Sequence, residues 1–234
     1  DMGIDRMHDY LAQFGLGEKT GIDLEGESAG LLPSREWKQR RFKQAWYPGE
    51  TVIAGIGQGF HLTTPLQLAV ATAMLANGGK RIEPRLVQAV RDPLTNVWQP
   101  LPAATKGQLA VDPGNLQAVR EGMIAVTSPG GTASRAAAGA PYTIAGKTGT
   151  AQVVGIKQGA RYDASRLARK HLDHALFIAY APAENPTIVV AVMVENGEHG
   201  SSTAAPIARA VFDYYLTGKR PGNMNLGASD AATE

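Results

Sequence analysis

The stretch Thr187–Glu195, TIVVAVMVE, is apolar from Ile188 to Val194 and rich in β-branched residues. A strand with one face in water alternates polar and apolar residues, and this run does not. It is therefore expected to be a strand covered on both faces, which requires packed layers. Just upstream, Ala175–Ala181 has the same character, and PAENP between them is short enough for an antiparallel hairpin. A third β segment is expected over Thr143–Val154. A closing helix is expected over about Ala205–Leu216, with Pro206 early and Ile207, Ala210, Val211 and Tyr214 on its buried face.

The first two thirds of the chain read as helical. Ile4, Met7, Leu11 and Phe14 mark a helix ending at Gly15 or Gly17. The charged segment that follows holds one short helix near Arg35–Lys43. Thr64 is an expected N-cap and Pro65 a first helical residue, since proline lacks only an N–H that has no partner there. The helix they start carries Leu66, Leu68, Val70, Ala73, Met74 and Leu75 on nearly every side, which suits the middle of a domain. Short strands separated by prolines are expected within Arg81–Val111. Asp112-Pro113 then starts a helix with Leu116, Val119, Met123 and Ile124 as its buried stripe, broken at Ser128–Gly131. The fold class is α+β: buried helices, then an antiparallel sheet closed by a helix. The tail after Pro221 has no apolar period and is expected to be flexible.

Composition narrows the chemistry. The chain has no cysteine, which excludes disulfides and thiolate metal sites. A net charge of +2 and no alternation of basic and aromatic residues argue against a nucleic-acid surface. The longest apolar runs fall short of the roughly 20 residues a membrane helix needs.

Within the Thr143–Val154 segment, Ile144–Val154 reads IAGKTGTAQVV, a strand interrupted by an ammonium, two hydroxyls and two glycines. The two-residue period places Thr148 and Thr150 on one face, where their hydroxyls can hold a carboxylate and a neighbouring amide. Lys147 adds positive charge that favours an anion. The N–H of Thr150 can be one donor of an oxyanion hole. Gly146 and Gly149 are expected to let an extended ligand approach the main chain. Lys147, Thr148, Gly149 and Thr150 are thus candidate binding residues, with Lys147 and Thr150 also candidate catalytic groups. A second triplet, Lys19-Thr20-Gly21, sits among glycines and acidic residues and reads as a surface turn. Gly55–Gly59, GIGQG, lacks phosphate-loop spacing and reads as a tight turn. His171, Asp173 and His174 read as a solvated loop end rather than a metal site. Ser201 or Ser202 with His199 has no nucleophile elbow around it. The loop Gly155–Asp173, with Lys157, Arg161, Arg166, Arg169 and Lys170, reads as a mobile charged loop, the alternative being contact with anionic glycan or acceptor peptide. SREWKQRRFKQAWY (Ser34–Tyr47) reads as a packed surface helix rather than a partner patch.

Lysine-threonine-glycine strands occur in penicillin-binding proteins and class A β-lactamases together with a Ser-x-x-Lys motif. The likeness extends well beyond the triplet. MGIDRMHDYLAQFGLGEKTGIDLEGESAGLLP, IGQGFHLTTPLQLAVATAMLANGG and GKTGTAQVV occur here in the order found in class B penicillin-binding proteins. SREWKQRRFKQAWYPGETV and DHALFIAYAP resemble the penicillin-binding protein 2 group of Gram-negative rods. The resemblance covers about Asp1 to Gly218 and implies the serine β-lactamase/transpeptidase-like fold. It also implies a peptidoglycan D,D-transpeptidase of cell elongation, acylated by β-lactams. Residues 1–220 would be the C-terminal part of its transpeptidase domain. Thr148 and Thr150 would bind the terminal carboxylate of a D-Ala-D-Ala stem peptide, and the Thr150 N–H would complete the oxyanion hole. No cofactor or metal is implied. The implied partners are stem peptides, β-lactams, a membrane glycosyltransferase and elongation-complex proteins. The implied location is the inner membrane with the catalytic part in the periplasm.

One departure is large. None of the serines at 28, 34, 128, 134, 165, 201, 202 and 229 has lysine three residues on, or asparagine or aspartate two residues on. The nucleophile and second motif are expected upstream of Asp1, with two strands of the family's sheet and its upstream helices. The chain alone is therefore expected to be inactive, to expose apolar surface and to melt without cooperativity. Other readings are a D,D-carboxypeptidase of the same fold, in which water replaces the acceptor amine, and a non-catalytic binding fragment.

Overall fold

The computed structural model describes residues 2–155 and 167–221, and the chain packs as two units that divide between Pro113 and Gly114.

The first unit contains α1 (Ile4–Ala12), α2 (Arg35–Phe42), α3 (Pro48–Gly55) and α4 (Pro65–Ala76), then β1 (Lys80–Ile82), β2 (Ala89–Arg91), β3 (Trp98–Pro100) and β4 (Thr105–Gln108). Its strands form two small antiparallel pairs, β1 with β4 and β2 with β3. Phe14, Leu16, Leu32, Met74 and Leu109 make its apolar centre. α4 starts as expected: Thr64 Oγ1 accepts from Gln67 N at 3.1 Å, and Gln67 Oε1 accepts from Thr64 N at 2.9 Å. The same Gln67 side chain, fully buried, donates to Glu18 O and Ala29 O at 2.7 and 2.8 Å. Thr64→Ala removes the hydroxyl that accepts from Gln67 N, so it should cost about 1 kcal/mol in chemical denaturation.

The sequence reading omits α3 and runs α1 three to five residues too far. α2 is the packed helix expected of Ser34–Tyr47. Ser34 caps it, and Trp37 packs edge-on against Phe42 and tilted against Phe60, with ring centroids 5.6 and 5.1 Å apart.

The second unit runs α5 (Pro113–Thr127), α6 (Ser134–Ala137), β5 (Ala145–Ala151), a 3₁₀ turn (Arg169–His171), β6 (His174–Ala181), β7 (Ile188–Val194), a π-type turn (Gly200–Ala204) and α7 (Ala205–Thr217). Its sheet has the order β5-β6-β7, antiparallel throughout, and β6 and β7 form the expected hairpin. One face of β6, with Ala175, Phe177, Ala179 and Ala181, is buried in a cluster with Ala205, Ala208 and Phe212 of α7.

Three expectations are corrected. α7 buries Ala205, Ala208 and Phe212, while Val211 and Tyr214 are exposed. Small alanines let the helix lie close to the alanines of β6, and closeness outweighs the larger apolar residues on the other side. Val119 of α5 is exposed, and Met123 with Thr127 takes the buried stripe. β7 is half-buried rather than covered on both faces, with Met193 exposed. Among the described residues no helix is long and apolar enough to cross a membrane.

Candidate functional site

β5 is an edge strand. Seven residues from Ala145 to Ala151 pair with β6, from Tyr180 back to His174, and no described strand lies on its other side. An edge strand leaves alternate peptide groups free to pair with an extended ligand.

The register assigns its faces. Gly146, Thr148 and Thr150 stand opposite Ala179, Phe177 and Ala175, and so share the face of the sheet that α7 packs against. Lys147 and Gly149 stand opposite Ile178 and Leu176 on the other face. Lys147 and Thr150 are exposed and Thr148 is half-buried, so the wall is open to a ligand. The Lys147 ammonium donates to Thr148 O at 2.9 Å, which holds its charge against the main chain of the strand.

The glycines do something other than expected. A Cβ at Gly146 would stand 2.6 Å from Phe177 Cζ and 3.1 Å from Ala179 Cβ. Its missing side chain makes room for the core rather than for a ligand. A Cβ at Gly149 would meet Leu176 Cβ at 3.3 Å. Gly200, at the start of the π-type turn, closes on the same place. Its Cβ would fall 2.2 Å from Leu176 O, 2.9 Å from Gly149 O and 3.2 Å from Gly149 N. The segment His199–Ser201 is thereby set against the middle of the candidate strand. Sequence reasoning passed over Gly200, although the Gly-Ser-Ser run before a proline-started helix signals a tight approach of backbone.

The strand's first end is tied down. Thr127 Oγ1 donates to Ile144 O at 2.5 Å, and Ala183 N donates to Thr143 O at 2.9 Å. β5 is shorter than Thr143–Val154: Thr143 and Ile144 are engaged in these contacts, and the ladder ends at Ala151 opposite His174.

The other candidates have structural partners of their own. Thr20 is buried rather than on a surface turn, and the Glu27 carboxylate accepts from Thr20 N, Thr20 Oγ1 and Gly21 N at 2.7, 2.6 and 3.1 Å. These bonds, with burial pulling the other way, leave the Glu27 carboxyl below its usual range. Gly21 borders a hollow of about 220 Å³ with Asp23, Glu83 and Arg85. GIGQG is a turn as expected, with positive φ at Gly57 and Gly59. His174 Nδ1 accepts from Asn196 N at 2.9 Å, and Asn196 Nδ2 donates to Leu172 O at 2.8 Å, a structural tie across the loop end. No cluster fit to hold a metal occurs among the described residues. Of the basic loop, Arg169 and Lys170 lie in the 3₁₀ turn. Lys157, Arg161 and Arg166 lie outside the described residues, as does nearly all of the tail.

With the strand in place, comparison with known proteins is informative. Residues 1–213 match the family described as the penicillin binding protein transpeptidase domain. A peptidoglycan D,D-transpeptidase MrdA of Haemophilus influenzae is 43% identical over 225 residues, 94% of this chain and 34% of that protein. The crystal structure of Pseudomonas aeruginosa PBP2 in complex with WCK 5153 superposes with a TM-score of 0.78 at 45% identity, covering 92% of this chain and 44% of that one. A Helicobacter pylori PBP2, solved in complex with MreC, superposes with a TM-score of 0.73 at 32% identity, over 93% of this chain and 37% of that one. The chain thus spans about a third of the length of the curated relative it matches.

Proposed function

The chain belongs to the penicillin-binding protein transpeptidase family, and from that membership we propose that it supplies the substrate wall of a peptidoglycan D,D-transpeptidase. The observation that carries the reading is the edge of β5 that no described strand covers, with its exposed Lys147 and Thr150. Thr148 and Thr150 stand on one side of an edge strand, and the Lys147 ammonium lies against the peptide group between them. Such a wall suits an extended peptide ending in a carboxylate.

A serine outside this chain attacks the carbonyl of the penultimate D-alanine. The electron pair moves onto oxygen, where the Thr150 N–H is one of the donors that stabilise it. The C–N bond breaks and terminal D-alanine leaves with a proton. An amine of a second stem peptide then attacks the acyl-enzyme, forms the cross-link and frees the serine. A β-lactam presents the same acyl group and an acid at the same distance, so the same wall would hold it during acylation. The MreC complex of the Helicobacter relative supports a partner from the elongation machinery. A membrane glycosyltransferase, and an inner-membrane anchor with the catalytic part in the periplasm, belong to the same proposal.

In full-length protein, Lys147→Ala and Thr150→Val should each slow labelling by a fluorescent penicillin. A lost hydrogen bond to a charged group is worth about 1.5–3 kcal/mol, or roughly ten- to hundredfold in rate. Wild-type labelling rates in both variants would remove β5 from the site. Mass spectrometry of the 234-residue chain after incubation with a β-lactam should find no covalent adduct. An adduct would place the nucleophile inside the chain.

A further inference from the structure

Three polar side chains that the acyl-transfer steps above leave unused meet beside the start of β5. Asp213 Oδ1 accepts from Tyr142 Oη at 2.6 Å and from Arg209 Nε at 2.9 Å. Arg209 Nη1 donates in addition to Ala136 O and Ala138 O, at 3.2 and 2.9 Å. Those carbonyls belong to the end of α6, where a helix has no acceptors' partners of its own. The guanidinium also lies 5.7 Å from the centre of the Tyr142 ring, whose edge meets Phe212 at 6.5 Å. Both Arg209 and Asp213 are only 16% exposed. Burial raises the Asp213 carboxyl, but the bonds from Tyr142 and Arg209 outweigh it and leave the group ionised. Burial and the neighbouring carboxylate together hold the Tyr142 hydroxyl protonated well above its usual range.

The cluster joins α7, a rigid helix on the core, to the segment 136–142 that runs into β5. Because β5 is paired on one side only, its ladder with β6 does not by itself fix its tilt or its tendency to fray. Its first end is gripped by Thr127 on Ile144 O from α5, by Ala183 N on Thr143 O, and by Asp213 on Tyr142 from α7.

We propose that Asp213, holding Tyr142 and Arg209 together, is a positioning residue that sets the attitude of β5 toward the acyl group. The proposal rests on the reading of β5 as the substrate wall. A buried polar cluster adds little net stability over well-packed apolar groups, yet the planar fork of arginine fixes direction in a way apolar contact does not. Direction is what a binding strand needs.

The test uses full-length protein and the acylation rate by a fluorescent penicillin over a range of concentrations, with melting temperature measured alongside. Tyr142→Phe and Asp213→Asn should lower the saturating rate about threefold, and Asp213→Ala about tenfold, with the half-saturating concentration changed less than twofold. Arg209→Lys keeps the charge and loses the fork, so it should resemble Asp213→Asn. If Asp213→Ala fails to fold, the two isosteric variants decide. A lowered melting temperature with an unchanged saturating rate would make the cluster merely structural and overturn the proposal. Thr150→Val serves as the reference. If it too acylates at the wild-type rate, the wall reading falls and this inference with it. If only Thr150→Val slows, the wall stands and the positioning role is wrong.

Discussion

Gly200→Ala should cost about 3 kcal/mol of stability and most of the acylation rate together. The added methyl would lie 2.2 Å from Leu176 O and within 3.2 Å of both Gly149 O and Gly149 N, all of them backbone atoms. A flexible side chain could swing away from such an intrusion, but a paired backbone cannot. Either the π-type turn lifts from the sheet or β5 shifts at the peptide between Thr148 and Thr150. Overpacking of this kind costs about 1–3 kcal/mol, and backbone contact puts this site at the upper end. A melting curve and a penicillin-labelling time course on the same preparation check both parts. Alanine accepted at this position with wild-type melting would mean that the turn does not rest on Gly149.

Glu50→Ala, in the first unit, should cost a similar amount, about 3 kcal/mol. Lys38 is 2% exposed, and its ammonium lies 2.5 and 2.6 Å from the two Glu50 oxygens. The Tyr47 ring covers it at 4.3 Å. The same carboxylate accepts from Tyr47 N at 2.8 Å and so caps α3. Removing it leaves a buried cation without its counterion, for which about 3–5 kcal/mol is usual, and the partial exposure of Glu50 argues for the lower figure. The double variant Lys38→Met, Glu50→Gln should recover most of the loss, because it removes the stranded charge. Burial raises the Glu50 carboxyl, but its bonds to Lys38 and Tyr47 bring it below the usual value. A carboxyl depressed in the folded state stabilises above its unfolded value. That contribution is lost as pH falls through the folded one, so the wild type should lose stability there and the double variant should not.

What could be read from residues alone followed the strength of local signals. The cap and proline at Thr64-Pro65, the hairpin through PAENP and the hydroxyl spacing on β5 were all legible because each is fixed within a few residues. α3 was not. Gly49, Thr51, Val52 and Ile53 read against a helix, which holds because Glu50 reaches Lys38, 12 residues back. The burial of Thr20 depends on Glu27, 7 residues on. The buried face of α7 differs from the expected one because Ala205 and Ala208 lie close on β6 and Phe212 fills the space beside them, a fit that spacing along the helix does not reveal. On β5 the shared face of Thr148 and Thr150 was legible from the two-residue period, but the closeness of Gly200 to Gly149 was not, since the two are far apart in the chain.

β7 runs from Ile188 to Val194 without a charge, a proline or a break in register, and no described strand lies beyond it. Natural sheets protect such a border with lysine, proline or a bulge, since its row of peptide groups otherwise accepts strands from other molecules. Concentrated solutions of these 234 residues alone should therefore grow ordered fibrils, and lysine at the exposed Met193 should delay their onset.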